Sequence, residues 1–317
     1  MNKKAMLIAS GIFTVMAVFI LPAAGLAGTK KMTVKTGPMG GAWYPVGTEI
    51  AALINKYVPG IDARVEAEGG AVENPRMVGE AETDLAITNA GSGFAAYKGN
   101  KPYTRAYPIL SLGYMYPSTL HMVTRQDSGI KTLEDLKGKR VGCGVTGGGT
   151  ILLMERIFAL LGMSIEDIEP NYLGYEDASL GVREGYLDAT FVLAGVPASA
   201  ITELGMHRPI RFIEISQKTV DLLVEKYPFY TGLTIPKACY KTSGDVLAVG
   251  AGNLLIVNRD MSMELAYKIT AATFGHIEEF QKAHPSAKSI RLETAPNSPV
   301  PLHPGAARFY KEKGVLK

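Results

Sequence analysis

The sequence predicts an α/β fold of two lobes with a hinged cleft between them, and three observations predict it. A strand, a glycine-rich turn and a helix follow one another near residue 36 and again near residue 143. Two long β-prone runs, 107–124 and 246–258, bracket the middle third of the chain. The 317 residues, 47% of them apolar, supply core for two lobes of about 100–150 residues each.

In chain order, 32–36 reads as a strand and 44–57 as the helix after it. A second strand at 64–68, a short helix at 72–79 and a third strand at 84–89 follow. The third strand ends in the turn Asn89-Ala90-Gly91-Ser92-Gly93. This is the rhythm of a parallel sheet with helices on its faces. The run 107–124, broken by Tyr116-Pro117, leads to a short helix at 131–136 and a strand at 140–143. Next come Gly144-Val145-Thr146-Gly147-Gly148-Gly149-Thr150 and a helix at 151–161. Two further strand–helix units are expected, 171–173 with 177–184 and 188–194 with 198–204. After the run 246–258 the chain closes with helices at 262–282 and 304–313. Two extended crossovers make a hinge. They place lobe one at 28–118 and 252–317, and lobe two at 119–251.

The N-terminus reads as an export signal. Lys3 and Lys4 precede an apolar stretch from Ala5 to Leu21, and small residues follow up to Gly28. Cleavage is expected near Ala27, so 1–27 is assigned as signal peptide and the mature protein as periplasmic. An uncleaved anchor, the alternative, would leave the same domain in the same compartment. The net charge of +3 falls to +1 when the two leader lysines are removed. So balanced a chain lacks the surplus of Lys and Arg that nucleic acid or an anionic membrane requires, and no nucleic-acid partner is expected. Cys143 and Cys239 are the two cysteines. Export permits a disulfide between them, and the sequence leaves that pairing open.

The glycine turns are the candidate site. Thr36-Gly37-Pro38-Met39-Gly40-Gly41-Ala42-Trp43-Tyr44-Pro45 leaves a strand and opens a helix, so free N–H groups and the positive dipole end favour an anion above it. The second turn, Thr146–Thr150, repeats that construction in the other lobe, and two such ends facing one cleft suit a carboxylate. Gly142-Cys143-Gly144-Val145-Thr146-Gly147 is also a literal GxGxxG, with Glu166 and Asp167 about twenty residues on. Its place in mid-chain and the export signal argue against a dinucleotide, and no cofactor is expected. No phosphate-loop Gly-Lys-Ser/Thr and no GxSxG elbow occurs. The five histidines show no HExxH and no ligand spacing, so neither a catalytic group nor a metal site is assigned. Glu66 and Glu68, two residues apart on a strand, read as a solvated face rather than a catalytic pair.

Specific runs resemble the TAXI receptors (TRAP-associated extracytoplasmic immunogenic proteins). They are Gly40-Gly41-Ala42-Trp43-Tyr44-Pro45-Val46-Gly47, Glu68-Gly69-Gly70-Ala71-Val72-Glu73-Asn74 and Pro301-Leu302-His303-Pro304-Gly305-Ala306. Others in the same order include Gly185-Tyr186-Leu187-Asp188-Ala189, Ala194-Gly195-Val196-Pro197 and Ile235-Pro236-Lys237-Ala238-Cys239-Tyr240. The resemblance implies a type II periplasmic binding-protein fold, acting as a monomer. It further implies a non-enzymatic receptor that captures a small carboxylate, of glutamate or 2-oxoglutarate type, for the membrane subunits of a TRAP transporter. Carried over by position, the cleft involves Gly41, Trp43, Tyr44, Asn89 and Ser92 from lobe one. Gly147, Gly149 and Thr150 face them, with Gly195, Val196, Pro197 and Tyr240 at the rim. This chain departs from the family at Ala90-Gly91, where a Ser-Asp pair is frequent, at Gly147-Gly148-Gly149-Thr150, and at Trp43. The pocket loses polar side chains and gains an aromatic one, so a carboxylate with a bulkier or more apolar body is expected.

Overall fold

The computed structural model describes residues 29–67 and 69–317, so the expected leader and Glu68 lie outside the described residues. The chain begins with β1 (Lys30–Lys35), α1 (Trp43–Tyr57), β2 (Ile61–Glu66), α2 (Glu73–Gly79), β3 (Leu85–Asn89) and α3 (Ala90–Lys98). The long β4 (Ile109–Arg125) leads to β5 (Arg140–Gly142), α4 (Gly149–Leu160), β6 (Glu169–Asn171), α5 (Tyr175–Glu184), β7 (Ala189–Ala194) and α6 (Ser199–His207). Then come β8 (Ile210–Phe212), α7 (Gln217–Lys226), β9 (Tyr230–Ile235) and α8 (Lys237–Tyr240). The chain ends with β10 (Val246–Asn258), α9 (Met263–Phe274), α10 (Ile277–Phe280) and α11 (Pro304–Glu312).

Local chemistry explains the boundaries. α1 buries Val46, Ile50, Leu53 and Ile54, a stripe at helical spacing. Ser262 accepts from the Leu265 amide to start α9. Pro304 opens α11 behind His303, whose ring accepts from the Gly305 amide. Two expectations are corrected. The turn 89–93 is the start of a helix, because the Asn89 side chain accepts from the Ser92 amide and α3 runs to Gly99, left-handed at φ 73. The expected helix 262–282 is two helices, since α9 stops at Phe274 and His276 sits at φ −112, ψ 49, outside the helical region.

Among the described residues ten strands form one sheet in the order β2-β1-β3-β10-β4-β7-β5-β6, with β9 on β10 and β8 on β4. β1 runs parallel to β2 and β3, and β5 runs parallel to β6 and β7. The two long strands run antiparallel to their neighbours. Each half therefore has one plan: β2-β1-β3-β10-β4 in one, β6-β5-β7-β4-β10 in the other, with β4 and β10 exchanging places. β10 pairs with β9 over 246–251 and with β3 over 253–257. β4 pairs with β7 from Thr119 to Thr124. The β4–β10 register shifts between Gly252 and Leu254, beside that change of partner. Below, lobe one means 28–118 with 252–317, and lobe two means 119–251.

Helices cover both faces of each half, as parallel strands require. In lobe one, α1, α9 and α11 enclose a core containing Ile50, Leu255 and Phe309, while α2 and α3 cover the other face around Ala96 and Leu254. In lobe two, α4 and α7 pack over Phe158 and Phe191, and α5 and α6 over Val192 and Leu204. Cys143 is buried and Cys239 half-buried, and both are free thiols. Among the described residues no helix is long and apolar enough to cross a membrane.

Candidate functional site

The parallel strands of both lobes deliver their carboxyl ends to one cleft, the place where open α/β sheets hold ligands. After β1 stand Gly37, Pro38, Gly41, Ala42 and Trp43. After β2 come Gly69, Gly70 and Ala71, and Asn89 closes β3. From lobe two, β5 supplies Val145, Gly148, Gly149 and Thr150, β6 leads to Tyr175, and β7 ends in Leu193 and Ala194. These residues line a single cavity with atom-free space of about 440 Å³, of which about 30 Å³ accepts the centre of a water molecule. One water needs about 10–15 Å³ by that measure, so the closed cavity suits a small solute.

Glycine lets the walls approach. A Cβ on Gly70 would lie 2.6 Å from the Gly147 carbonyl oxygen, and one on Gly149 would collide with Asn89 Nδ2. Across the seam the Val72 amide donates to Gly147 O (3.0 Å), the Ala200 amide to Gly40 O (3.2 Å) and Ser286 Oγ to Val196 O (3.0 Å). The lobes are thus in direct contact around the cavity.

Few side-chain polar groups belong to the lining residues. Asn89 is buried, and its Oδ1 is occupied by the Ser92 amide at 2.8 Å. Its Nδ2 makes no hydrogen bond among the described residues and lies beside Gly149. Trp43 Nε1 is buried without a partner. Tyr175 donates to Leu193 O (3.1 Å) and accepts from Thr150 Oγ1 (2.9 Å). Burial pushes the Tyr175 phenol's pKa up, partly offset by those hydrogen bonds, so it stays protonated. α1 and α4 start at Ala42 and Gly148, neither of which caps through a side chain. Their leading amides therefore border the cavity unsatisfied by side chains. Among the described residues the lining carries no carboxylate, ammonium, guanidinium, imidazole or thiol. The arrangement can hold acceptor atoms and exclude water.

Of the residues expected from the sequence, the fold brings Gly41, Trp43, Asn89, Gly149 and Thr150 together at the cavity. The others lie elsewhere. Tyr44 is exposed on the first turn of α1. Ser92 sits buried behind Asn89. Gly147 belongs to the seam, where its carbonyl meets Val72. Gly195, Val196 and Pro197 pass outside the cavity, with Val196 bonded to Ser286. Tyr240 is held within lobe two, where its hydroxyl takes the Ala198 amide at 2.6 Å and meets His121 Nε2 at 2.8 Å. Two contributions carried no signal of their own in the sequence. Tyr175 and Leu193 come from the β6 and β7 ends, and only the pairing of those strands with β5 aims them at the cleft. The acids that would complete a dinucleotide site sit instead on a helical turn, where Asp167 accepts from the Ser164 amide (2.7 Å). Glu66 pairs with Lys35 at 3.5 Å.

A model of the NMT1-like family matches residues 34–314, and the chain belongs to that family. The structure is similar to PhnD1 from Prochlorococcus marinus (MIT 9301) in complex with methylphosphonate, with a TM-score of 0.55 and 10% identity over 83% of this chain and 92% of that one. It is also similar to a putative L-cystine ABC transporter from Listeria monocytogenes, with TM-score 0.53 and 16% identity over 85% and 99% of the two chains. A protein from Bordetella bronchiseptica RB50 matches at TM-score 0.53 and 16% identity over 90% and 89%. The fold is that of the two-lobed periplasmic binding proteins. The resemblance to TAXI receptors of TRAP transporters is corrected by these findings. The matching family is the NMT1-like one.

Proposed function

We propose that this NMT1-like protein is an exported solute receptor that traps a small oxyanion-bearing molecule between its lobes and passes it to the membrane subunits of an ABC-type transporter. The observation that carries this reading is the cavity itself, enclosed by strand ends from both lobes and bordered by two helix starts without side-chain caps. Uncapped helix ends add about 0.3–1 kcal/mol each toward an anionic head, up to ~2 when partly buried. Enclosure and directed hydrogen bonds supply the remainder of the ~8 kcal/mol that micromolar binding requires. A carboxylate is the head group the sequence favours, and the methylphosphonate of the PhnD1 structure supports a phosphonate as the other candidate. Lys3, Lys4 and the apolar stretch after them support export to the periplasm. The lobe division at 118/119 and 251/252 is part of the proposal. It is supported by the change of strand partners there.

A thermal-melt panel on mature protein, stripped of solute by unfolding and refolding, tests the reading. The panel holds small 2-oxo acids and dicarboxylates, amino acids, and methylphosphonate. A ligand at 100 times its Kd stabilises by about 2.7 kcal/mol, a rise of several degrees for this size. A rise confined to one oxyanion class is expected. No rise with any member, from protein shown to be refolded, overturns the oxyanion assignment.

A further inference from the structure

We infer that Ser286 of lobe one, positioned by His284, forms a clasp that keeps the cleft shut by gripping the 195–197 segment of lobe two, so that this segment retains the solute without touching it. Ser286 Oγ donates to Val196 O at 3.0 Å across 90 residues of sequence. His284 Nδ1 lies 3.0 Å from the same Ser286 Oγ and helps to place it. One short helical turn presents both side chains. The Ser286 amide donates to His284 Nδ1 at 3.1 Å, which caps the turn Pro285–Ser289. Gly195 completes the grip. A Cβ there would collide with Ser286 and lie 2.8 Å from Ala42 Cβ, so backbone meets lobe one with no side chain between.

Both jaws are anchored to their own lobes. Behind Ser286, Ala287 and Ile290 are buried in the lobe-one core. Behind Pro197, the Ala198 amide donates to Tyr240 OH, which in turn meets His121. Ala42 immediately precedes Trp43, so the clasp stands directly behind a wall of the cavity. Leu193 and Ala194 line that cavity, whereas Gly195, Val196 and Pro197 do not. These are positioning residues: they act on the solute by raising the closed fraction, which divides directly into the apparent Kd.

The inference rests on the two-lobed reading but on no particular solute, so it is tested on solute-stripped protein. The probe is acrylamide, quenching the single tryptophan of the chain, Trp43. Ser286→Ala and His284→Ala should each raise the quenching constant about twofold by opening the cleft. Ser289→Ala removes a hydroxyl that donates only to Ser286 O within the same turn, and should leave quenching unchanged. Phe280→Leu weakens the lobe-one core while leaving Ser286 and His284 in place, and should lower the urea midpoint without changing quenching at 25 °C. Unchanged quenching in folded Ser286→Ala and His284→Ala overturns the clasp. So does an equal rise in Ser289→Ala or Phe280→Leu, which would make the effect one of general stability. Neither result bears on whether the cavity binds an oxyanion, which the melt panel decides separately.

Discussion

At the scale of single residues, Trp43 is the side chain of the lining whose role is most directly testable. Its indole lines the cavity and its Nε1 is a buried donor with no partner in the protein. A buried unmet donor costs about 1–3 kcal/mol, a cost that a bound acceptor removes. Trp43→Phe keeps an aromatic wall and deletes the N–H. Calorimetry with the solute giving the largest melt shift should then show Kd raised about tenfold, or 1.4 kcal/mol. Trp43→Ala should weaken binding further, and wild-type affinity in both variants would remove Trp43 from the contact surface. The sequence pointed to Trp43 through its place in the first glycine turn, just before a helix, and through the family resemblance. It gave no such pointer to Tyr175. That ring is placed by Leu193 O and Thr150, which lie 18 and 25 residues away and are brought close only by strand pairing.

At the scale of elements, β4 and β10 do the joining, and β4 carries a buried histidine just past the crossover. His121 Nδ1 sits 2.9 Å from Thr119 O and 3.1 Å from Val192 O, so that nitrogen holds the hydrogen. Nε2 then accepts from Tyr240, whose oxygen takes the Ala198 amide. Burial lowers the imidazole's pKa to about 4, against hydrogen bonds that raise it. The unfolded chain, near pKa 6.5, binds this proton first. His121 therefore contributes stability above about pH 6.5 that is lost as pH falls toward 4. The loss totals about 3 kcal/mol. Urea midpoints between pH 7 and 4.5 should fall steeply for the wild type and less steeply for His121→Gln. Equal slopes would contradict a buried neutral imidazole. The elements most legible in the sequence were those with strong turns or long apolar runs, β4 and β10 above all. β8, α7 and β9 were not anticipated. β8 has three residues, and β9 alternates poorly because Thr231, Gly232 and Thr234 are all exposed. The helical reading of 262–282 overran because a regular polar–apolar pattern continues through Gly275 while the backbone does not.

At the scale of the whole molecule, two lobes of the same strand order share two strands, and their parallel strand ends converge on one cavity. That plan was readable from the repeated strand–turn–helix units and the two long β runs. The narrower family was not readable, because Gly40, Gly70 and Gly149 allow close approach of the cleft walls and say nothing of the solute or transporter. The seam also explains why some nominated positions lie outside the cavity: Gly147, expected to face lobe one, and Gly195 and Val196, expected at the rim, serve contact between the lobes. A receptor built this way keeps its solute by geometry around the ligand as much as by contact with it. The central claim, that the solute lies between the lobes against Trp43, is tested most directly by the emission of that single tryptophan. With the solute that most raises Tm, titration should change the emission saturably, lower acrylamide quenching and give the Kd found by calorimetry. Saturable heat with unchanged emission and quenching would place the solute elsewhere and contradict the account.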